Sequence, residues 1–313
     1  MGKLRQAANG MLTFKRWRFL VIVALAAFIV WLGSSALVTW RFTRRSGPPE
    51  LEPPPKVAWA TIEGHRLETS DGQQLGAWLV HGDAHKGCVV LLHGYRGSRH
   101  QMLLVLQHLA EARFTVLAIS LRAHGDSTGE INDLGWSARQ DVAAAVAFLQ
   151  KEAPRRPIYV VGRSMGAAAA IFAASDLKGQ VAGYFLEQPY KDITSAAWNR
   201  LKHYLPPGLD WIAYGGLRLW APVFLPVAPD QLSPYNHVQD IPESVPVVFI
   251  TGSADRHAHL DEVMAMYHRI ESHAKLVVFD GAQHEDLDRA DPELYRTTLL
   301  NFIDGPARNT MLP

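Results

Sequence analysis

The segment Ile158-Tyr159-Val160-Val161-Gly162-Arg163-Ser164-Met165-Gly166-Ala167 constrains the fold more than any other part of the chain. An apolar, β-branched run enters Gly-x-Ser-x-Gly and leaves as an alanine-rich stretch of helical character. A serine between two glycines at a strand-to-helix junction sits in a strained turn, where side chains at Gly162 or Gly166 would collide with neighbouring backbone. A serine here could also simply cap the helix, a role serines commonly fill. The flanking glycines favour a turn that presents its hydroxyl, and Ser164 is therefore the candidate nucleophile.

The surroundings fit such a turn. From residue 57 onward, short β-branched runs alternate with longer helical patterns. Strands are predicted at 61–62, 75–80, 88–92, 115–119, 158–161, 181–186, 247–250 and 276–279, and helices at 99–112, 136–151, 165–175, 260–272 and 292–302. Alternation of this kind predicts an α/β domain with a mostly parallel central sheet and helices on both faces. Functional groups in open α/β sheets gather at the strand carboxyl ends, so motifs far apart in sequence should converge there.

A serine hydroxyl needs a base to take its proton, and the base needs a carboxylate to orient it. Both follow in the chain, each on a loop after an apolar strand: Asp255 after Val247-Val248-Phe249-Ile250, and His284 after Leu276-Val277-Val278-Phe279. Glu187, at the end of the 181–186 run, is the reserve acid. His257 and His259 lie beside Asp255 without a strand to aim them, and they read as surface histidines. Acyl transfer also needs N–H donors for an oxyanion; the backbone of Met165 offers one and that of Tyr95, in Leu91-Leu92-His93-Gly94-Tyr95-Arg96-Gly97, the other. His93 reads as a residue that fixes this loop, and Arg122-Ala123-His124-Gly125-Asp126 as a structural turn.

The bulk properties exclude other classes. With 31 basic and 30 acidic residues, a formal net charge of +1 gives no electrostatic case for nucleic acid. The single cysteine, Cys88, lies in an apolar strand and reads as a core residue. His257-Ala258-His259 and His284-Glu285-Asp286 lack the spacing of a helical zinc site, so neither metal nor cofactor is expected.

The amino-terminal part is different. Residues 19–40 carry no charge, about the length of ~20 residues that a helix needs to cross a bilayer core. Lys3, Arg5, Lys15, Arg16 and Arg18 precede the run and Arg41, Arg44 and Arg45 follow it, which favours a cytoplasmic 1–18 and an extracytoplasmic, periplasmic-side domain. A secretory signal peptide cleaved near Ser34-Ser35-Ala36 is the competing reading, and both export the domain. Five prolines between residues 48 and 55 mark 41–56 as a semi-rigid spacer, leaving 57–313 as the catalytic domain.

Residues 57 to about 303 resemble the α/β-hydrolase superfamily. The resemblance rests on His93-Gly94-Tyr95-Arg96-Gly97, Arg122-Ala123-His124-Gly125-Asp126-Ser127, Gly162-Arg163-Ser164-Met165-Gly166, Asp255 and His284. Within the superfamily the pattern is similar to the serine aminopeptidase-like and lysophospholipase-like group and to membrane-anchored members related to the Bem46 proteins. It implies hydrolysis of an ester, thioester or amide through an acyl-enzyme, without cofactor, on a small-molecule or lipid-like acyl substrate. Residues 188–232 then form a small helical lid, with Trp198, Tyr204, Trp211, Tyr214, Trp220 and Phe224 lining a substrate site or packing the lid onto the core. A serine peptidase, an acyl transferase and a non-catalytic binding protein of this fold are the alternatives.

Overall fold

A computed structural model describes residues 2–284 and 287–309, with side chains from 14 to 305 apart from 285 and 286; Glu285, Asp286 and the side chains of Lys3 and Arg5 lie outside the described set. The strands are β1 (Glu63–Glu68), β2 (Gln74–Val80), β3 (Cys88–Leu92), β4 (Thr115–Ile119), β5 (Ile158–Arg163), β6 (Gly183–Glu187), β7 (Val247–Gly252) and β8 (Ala274–Phe279). They form one sheet in the order β1-β2-β4-β3-β5-β6-β7-β8. β2 runs antiparallel to both neighbours, and every pairing from β4 through β8 is parallel.

The helices are α1 (Gly2–Phe42), α2 (Leu103–Glu111), α3 (Arg139–Glu152), α4 (Met165–Leu177), α5 (Ile193–Tyr204), α6 (Leu209–Phe224), α7 (Pro234–His237), α8 (Leu260–His268), α9 (Leu287–Ala290) and α10 (Pro292–Asn309). The two-residue period of β3 divides its side chains between two cores. Val90 and Leu92 face α3, α4 and α8 through Val146, Ala170 and Met266, while Val89 and Leu91 face α2 and α10 through Leu106 and Leu299. Strands covered on both faces read as continuous apolar runs, which is why the predicted bounds of β3 and β4 coincide with the observed ones.

Two predicted strands are displaced. The β-branched pair Thr61-Ile62 precedes β1, whose Glu-Gly-His-Arg-Leu-Glu sequence is polar because an edge strand buries only Leu67 deeply. Val181 is buried but leads into β6 rather than starting it. The helix predicted at 99–112 opens as a 3-10 turn, Arg99–Met102, in which the Ser98 hydroxyl accepts the His100 N–H.

Residues 2–42 form one continuous helix, and its stretch Phe14–Phe42 is long and apolar enough to cross a membrane, with a mean hydropathy of 2.5 over its most apolar 18 residues. The proline-rich segment, expected as a spacer, is seated on the domain. The Glu52 carboxylate, almost fully buried, pairs with Arg99 Nη1 at 2.8 Å and accepts the Ser120 hydroxyl at 2.5 Å, while its carbonyl accepts from Trp78 Nε1 at 3.1 Å. Arg45 donates to the carbonyls of Gly125, Ser127 and Gly129. The prolines keep the segment extended, and these buried polar contacts fix where it lies.

Candidate active site

The turn between β5 and α4 has the strain expected of it. Ser164 adopts φ 51°, ψ −110°, a region that non-glycine residues enter only under constraint. Its N–H is held by the Glu187 carbonyl at 2.7 Å. A Cβ on Gly162 would lie 2.6 Å from the Gly166 carbonyl oxygen, and one on Gly166 would lie 2.5 Å from that of Leu92, so both positions exclude side chains.

The loops after β7 and β8 bring Asp255 and His284 to this turn. His284 Nε2 lies 3.0 Å from Ser164 Oγ and its Nδ1 lies 2.7 Å from Asp255 Oδ2. Asp255 Oδ1 accepts the backbone N–H groups of His257 and Ala258 at 2.8 and 3.0 Å. Both carboxylate oxygens are therefore engaged, which holds the acid in place against His284. Glu187, the reserve acid, is occupied elsewhere: it pairs with Arg163 Nε at 2.8 Å and accepts the Tyr295 hydroxyl.

Met165 opens α4 and Tyr95 follows β3, and both line the cavity that contains Ser164. The loop carrying Tyr95 is fixed by two imidazoles. His93 Nε2 accepts the Leu121 N–H at 2.9 Å, and His124 Nε2 accepts the Arg96 N–H at 3.3 Å. Acceptance at Nε2 places each proton on Nδ1, which donates to Gly94 and Arg122 carbonyls at 2.7 and 2.8 Å. Burial lowers the His93 pKa to about 3, with the neighbouring His124 adding to the effect, and burial lowers that of His124 to about 4. Both are neutral structural groups, as their sequence context suggests. Asp126 pairs with Arg99 and Arg66, which likewise makes its turn structural.

Several contributors escape a reading by sequence. His257, expected as a surface histidine, is half-buried and sets its ring edge-on to His284 with centroids 5.1 Å apart. Burial, then Arg200 and His284, lowers its pKa to about 4. Thr39, Phe42 and Thr43, at the end of α1, also line the cavity; the Phe42 ring stacks on Tyr95, whose hydroxyl donates to the Phe42 carbonyl at 3.1 Å. Nothing local in sequence marks a membrane-length helix as part of a catalytic wall.

The cavity encloses about 800 Å³ under α5 and α6, the helices of the expected lid. Of the two roles open to the lid aromatics, packing is the one most of them take. Tyr214 alone of the six lid rings singled out in the sequence reaches the cavity; Tyr190 also lines it, and the largely apolar wall includes Ile193, Leu201, Leu217, Ala221 and Leu225, interrupted by Lys191, Asp192, Arg200 and Arg218. Trp198, Trp211 and Tyr214 pack on one another at 4.4 and 5.2 Å, while Tyr204 and Trp211 are largely exposed. Among the described residues no three His, Cys, Asp or Glu side chains gather as a metal site.

The strand order, the strained serine turn and the loops that follow β7 and β8 define an α/β-hydrolase. The chain belongs to the family described as serine aminopeptidase, S33, whose model matches residues 83–240, and it is a hydrolase with an esterase- and lipase-like α/β-hydrolase fold. An uncharacterised protein of Mycobacterium tuberculosis strain H37Rv is 25% identical over 304 residues, 95% of this chain and 99% of that one. The monoglyceride lipase of Homo sapiens is 32% identical over 131 residues, 39% of this chain and 42% of its own. Among solved structures, the Pyrococcus furiosus esterase Pf2001 superposes with a TM-score of 0.66 at 25% identity, over 83% of this chain and 99% of that one.

Proposed function

We propose that this chain is a membrane-anchored serine hydrolase that cleaves a carboxylic ester or thioester through an acyl-Ser164 intermediate. The observation that carries this reading is the continuous hydrogen-bonded chain Ser164–His284–Asp255 opening into a largely apolar cavity. As Ser164 Oγ attacks the acyl carbonyl, His284 Nε2 takes its proton, and Asp255 stabilises the imidazolium at Nδ1. The carbonyl oxygen becomes an oxyanion that accepts from the backbone N–H groups of Tyr95 and Met165, the latter at the positive end of α4. Collapse expels the alcohol or thiol, which leaves with the proton from His284. Water, deprotonated by His284, then releases the acid and restores Ser164.

The apolar stretches of the wall, with Ile193, Leu201, Leu217 and Leu225, suit an acyl chain, while Lys191, Asp192 and Arg200 offer polar partners to the rest of a substrate. The names of the monoglyceride lipase and the esterase relatives support the same class. The family description favours a second reading, a peptidase, which aminoacyl anilides would reveal. Retention of the anchor is supported by its packing: cleavage near Ala36 would remove Trp31, whose Nε1 donates to the Ile212 carbonyl at 3.0 Å, and Ser35, which packs on Gly216. Residues 19–40 would then span the bilayer, with 1–18 cytoplasmic and the hydrolase domain extracytoplasmic.

The test is hydrolysis of p-nitrophenyl esters of graded chain length by the detergent-solubilised full chain. Turnover that disappears in Ser164→Ala and His284→Ala is expected. Anilide cleavage without ester cleavage would replace this reading with the peptidase one.

A further inference from the structure

Helix α6 is apolar on nearly every side, an arrangement that water does not support on a domain surface. One side, with Tyr214, Leu217 and Ala221, lines the catalytic cavity. Residues 212, 219 and 223, separated by seven and four positions, share the opposite side. That side points outward: Ile212 is 54% exposed, Leu219 51% and Val223 64%, with Leu209 beside them at 54%. The two charged residues of α6 are turned away from this stripe. Asp210 is buried, with Oδ1 accepting the N–H groups of Gly208 and Trp211, and Arg218, though exposed, sits at the cavity's edge.

What covers this stripe is indicated by its neighbour. α6 lies directly against α1: Trp31 Nε1 donates to the Ile212 carbonyl at 3.0 Å, and Gly216 sits so close to Ser35 that an added Cβ would lie 2.2 Å from its hydroxyl oxygen. The contact therefore falls within the uncharged stretch 19–40. From Trp31 to Trp40 that stretch runs about 14 Å along the helix axis, at 1.5 Å per residue. Leu37 and Trp40, farther along the same stretch of α1, are exposed as well. A bilayer that solvates the whole uncharged stretch must also meet α6.

We infer that α6 is a second membrane-embedded element, with Leu209, Ile212, Leu219 and Val223 against the acyl chains of the extracytoplasmic leaflet. The catalytic cavity is then separated from lipid by the thickness of a single helix. This inference rests on the membrane-anchor reading of α1.

Single cysteines at Val23, Ile212, Val223 and the exposed Lys151 would carry nitroxide labels, since native Cys88 is fully buried in β3. The full-length variants, selected for retained hydrolysis of a short soluble ester, would be placed in phosphatidylcholine–phosphatidylglycerol nanodiscs. Collision with oxygen, which partitions into lipid, would be compared with collision with a water-soluble nickel chelate. Labels at Ile212 and Val223 should resemble the one at Val23, with an oxygen-to-chelate ratio several-fold above that at Lys151. A lipid-like Val23 with chelate-accessible Ile212 and Val223 would overturn the inference and leave the anchor standing. Shielding of α6 from both reagents would overturn it in favour of a protein cover such as a second copy. A chelate-accessible Val23 would remove the anchor reading and the inference with it.

Discussion

Acidification should destabilise the folded chain, because His93 and His124 are buried as neutral rings whose Nε2 atoms accept backbone N–H groups. Their folded pKa values, about 3 and about 4, lie below the ~6.5 of an exposed imidazole. The unfolded chain therefore binds more protons than the folded one between these values. Their contribution to stability is complete above about pH 6.5 and is lost as the pH falls toward the folded values. At about pH 5 the unfolded form gains about 2 kcal/mol from each ring, so about 4 kcal/mol together, a large share of the ~5–15 kcal/mol typical of a domain. The figure at that pH depends little on the exact folded values, since both lie well below it. Urea unfolding of the detergent-solubilised chain, followed by tryptophan fluorescence between about pH 5 and 7.5, would be compared for wild type and His124→Gln. Wild-type stability should fall by about 1.2 kcal/mol per pH unit more steeply than that of the variant between about pH 6 and 5. Parallel stability curves would refute the reasoning.

Other outcomes follow from the same contacts. Gly166→Ala places a Cβ 2.5 Å from the Leu92 carbonyl oxygen and should lower kcat more than tenfold, by roughly 1.4 kcal/mol or more in barrier, with a lowered melting temperature. Unchanged turnover would show that the turn does not need its close approach. Glu52→Gln leaves buried Arg99 with Asp126 as its remaining carboxylate partner and should destabilise by about 2–3 kcal/mol in thermal unfolding. No shift would mean that the proline-rich segment is not docked. Phe42→Ala removes a ring from the cavity wall and from its stack on Tyr95, so KM should rise for long-chain esters and change little for acetate esters.

Legibility of the sequence followed the range of the interactions involved. β3 and β4 could be read to the residue because both their faces are buried, whereas β1 could not, since an edge strand of Glu-Gly-His-Arg-Leu-Glu carries little apolar signal. That Ser164, Asp255 and His284 meet was legible because each sits on a loop that a neighbouring apolar strand aims. The seating of Glu52 depends on Arg99, 47 residues away, and the cavity role of Phe42 depends on Tyr95, 53 residues away. Pairings over such distances leave no local period. The lid was legible as a segment but not in its orientation: most of its large rings pack together or face outward, while leucines, Tyr214 and polar side chains share the wall.

The central claim is that Ser164 is an activated nucleophile. It is tested most directly by treating the folded, detergent-solubilised protein with a fluorophosphonate and mapping the adduct by mass spectrometry. A single adduct on the peptide containing Ser164, lost in Ser164→Ala and strongly diminished in His284→Ala, is the expected result. A folded wild type that takes no label, or a label that persists unchanged in Ser164→Ala, would contradict it.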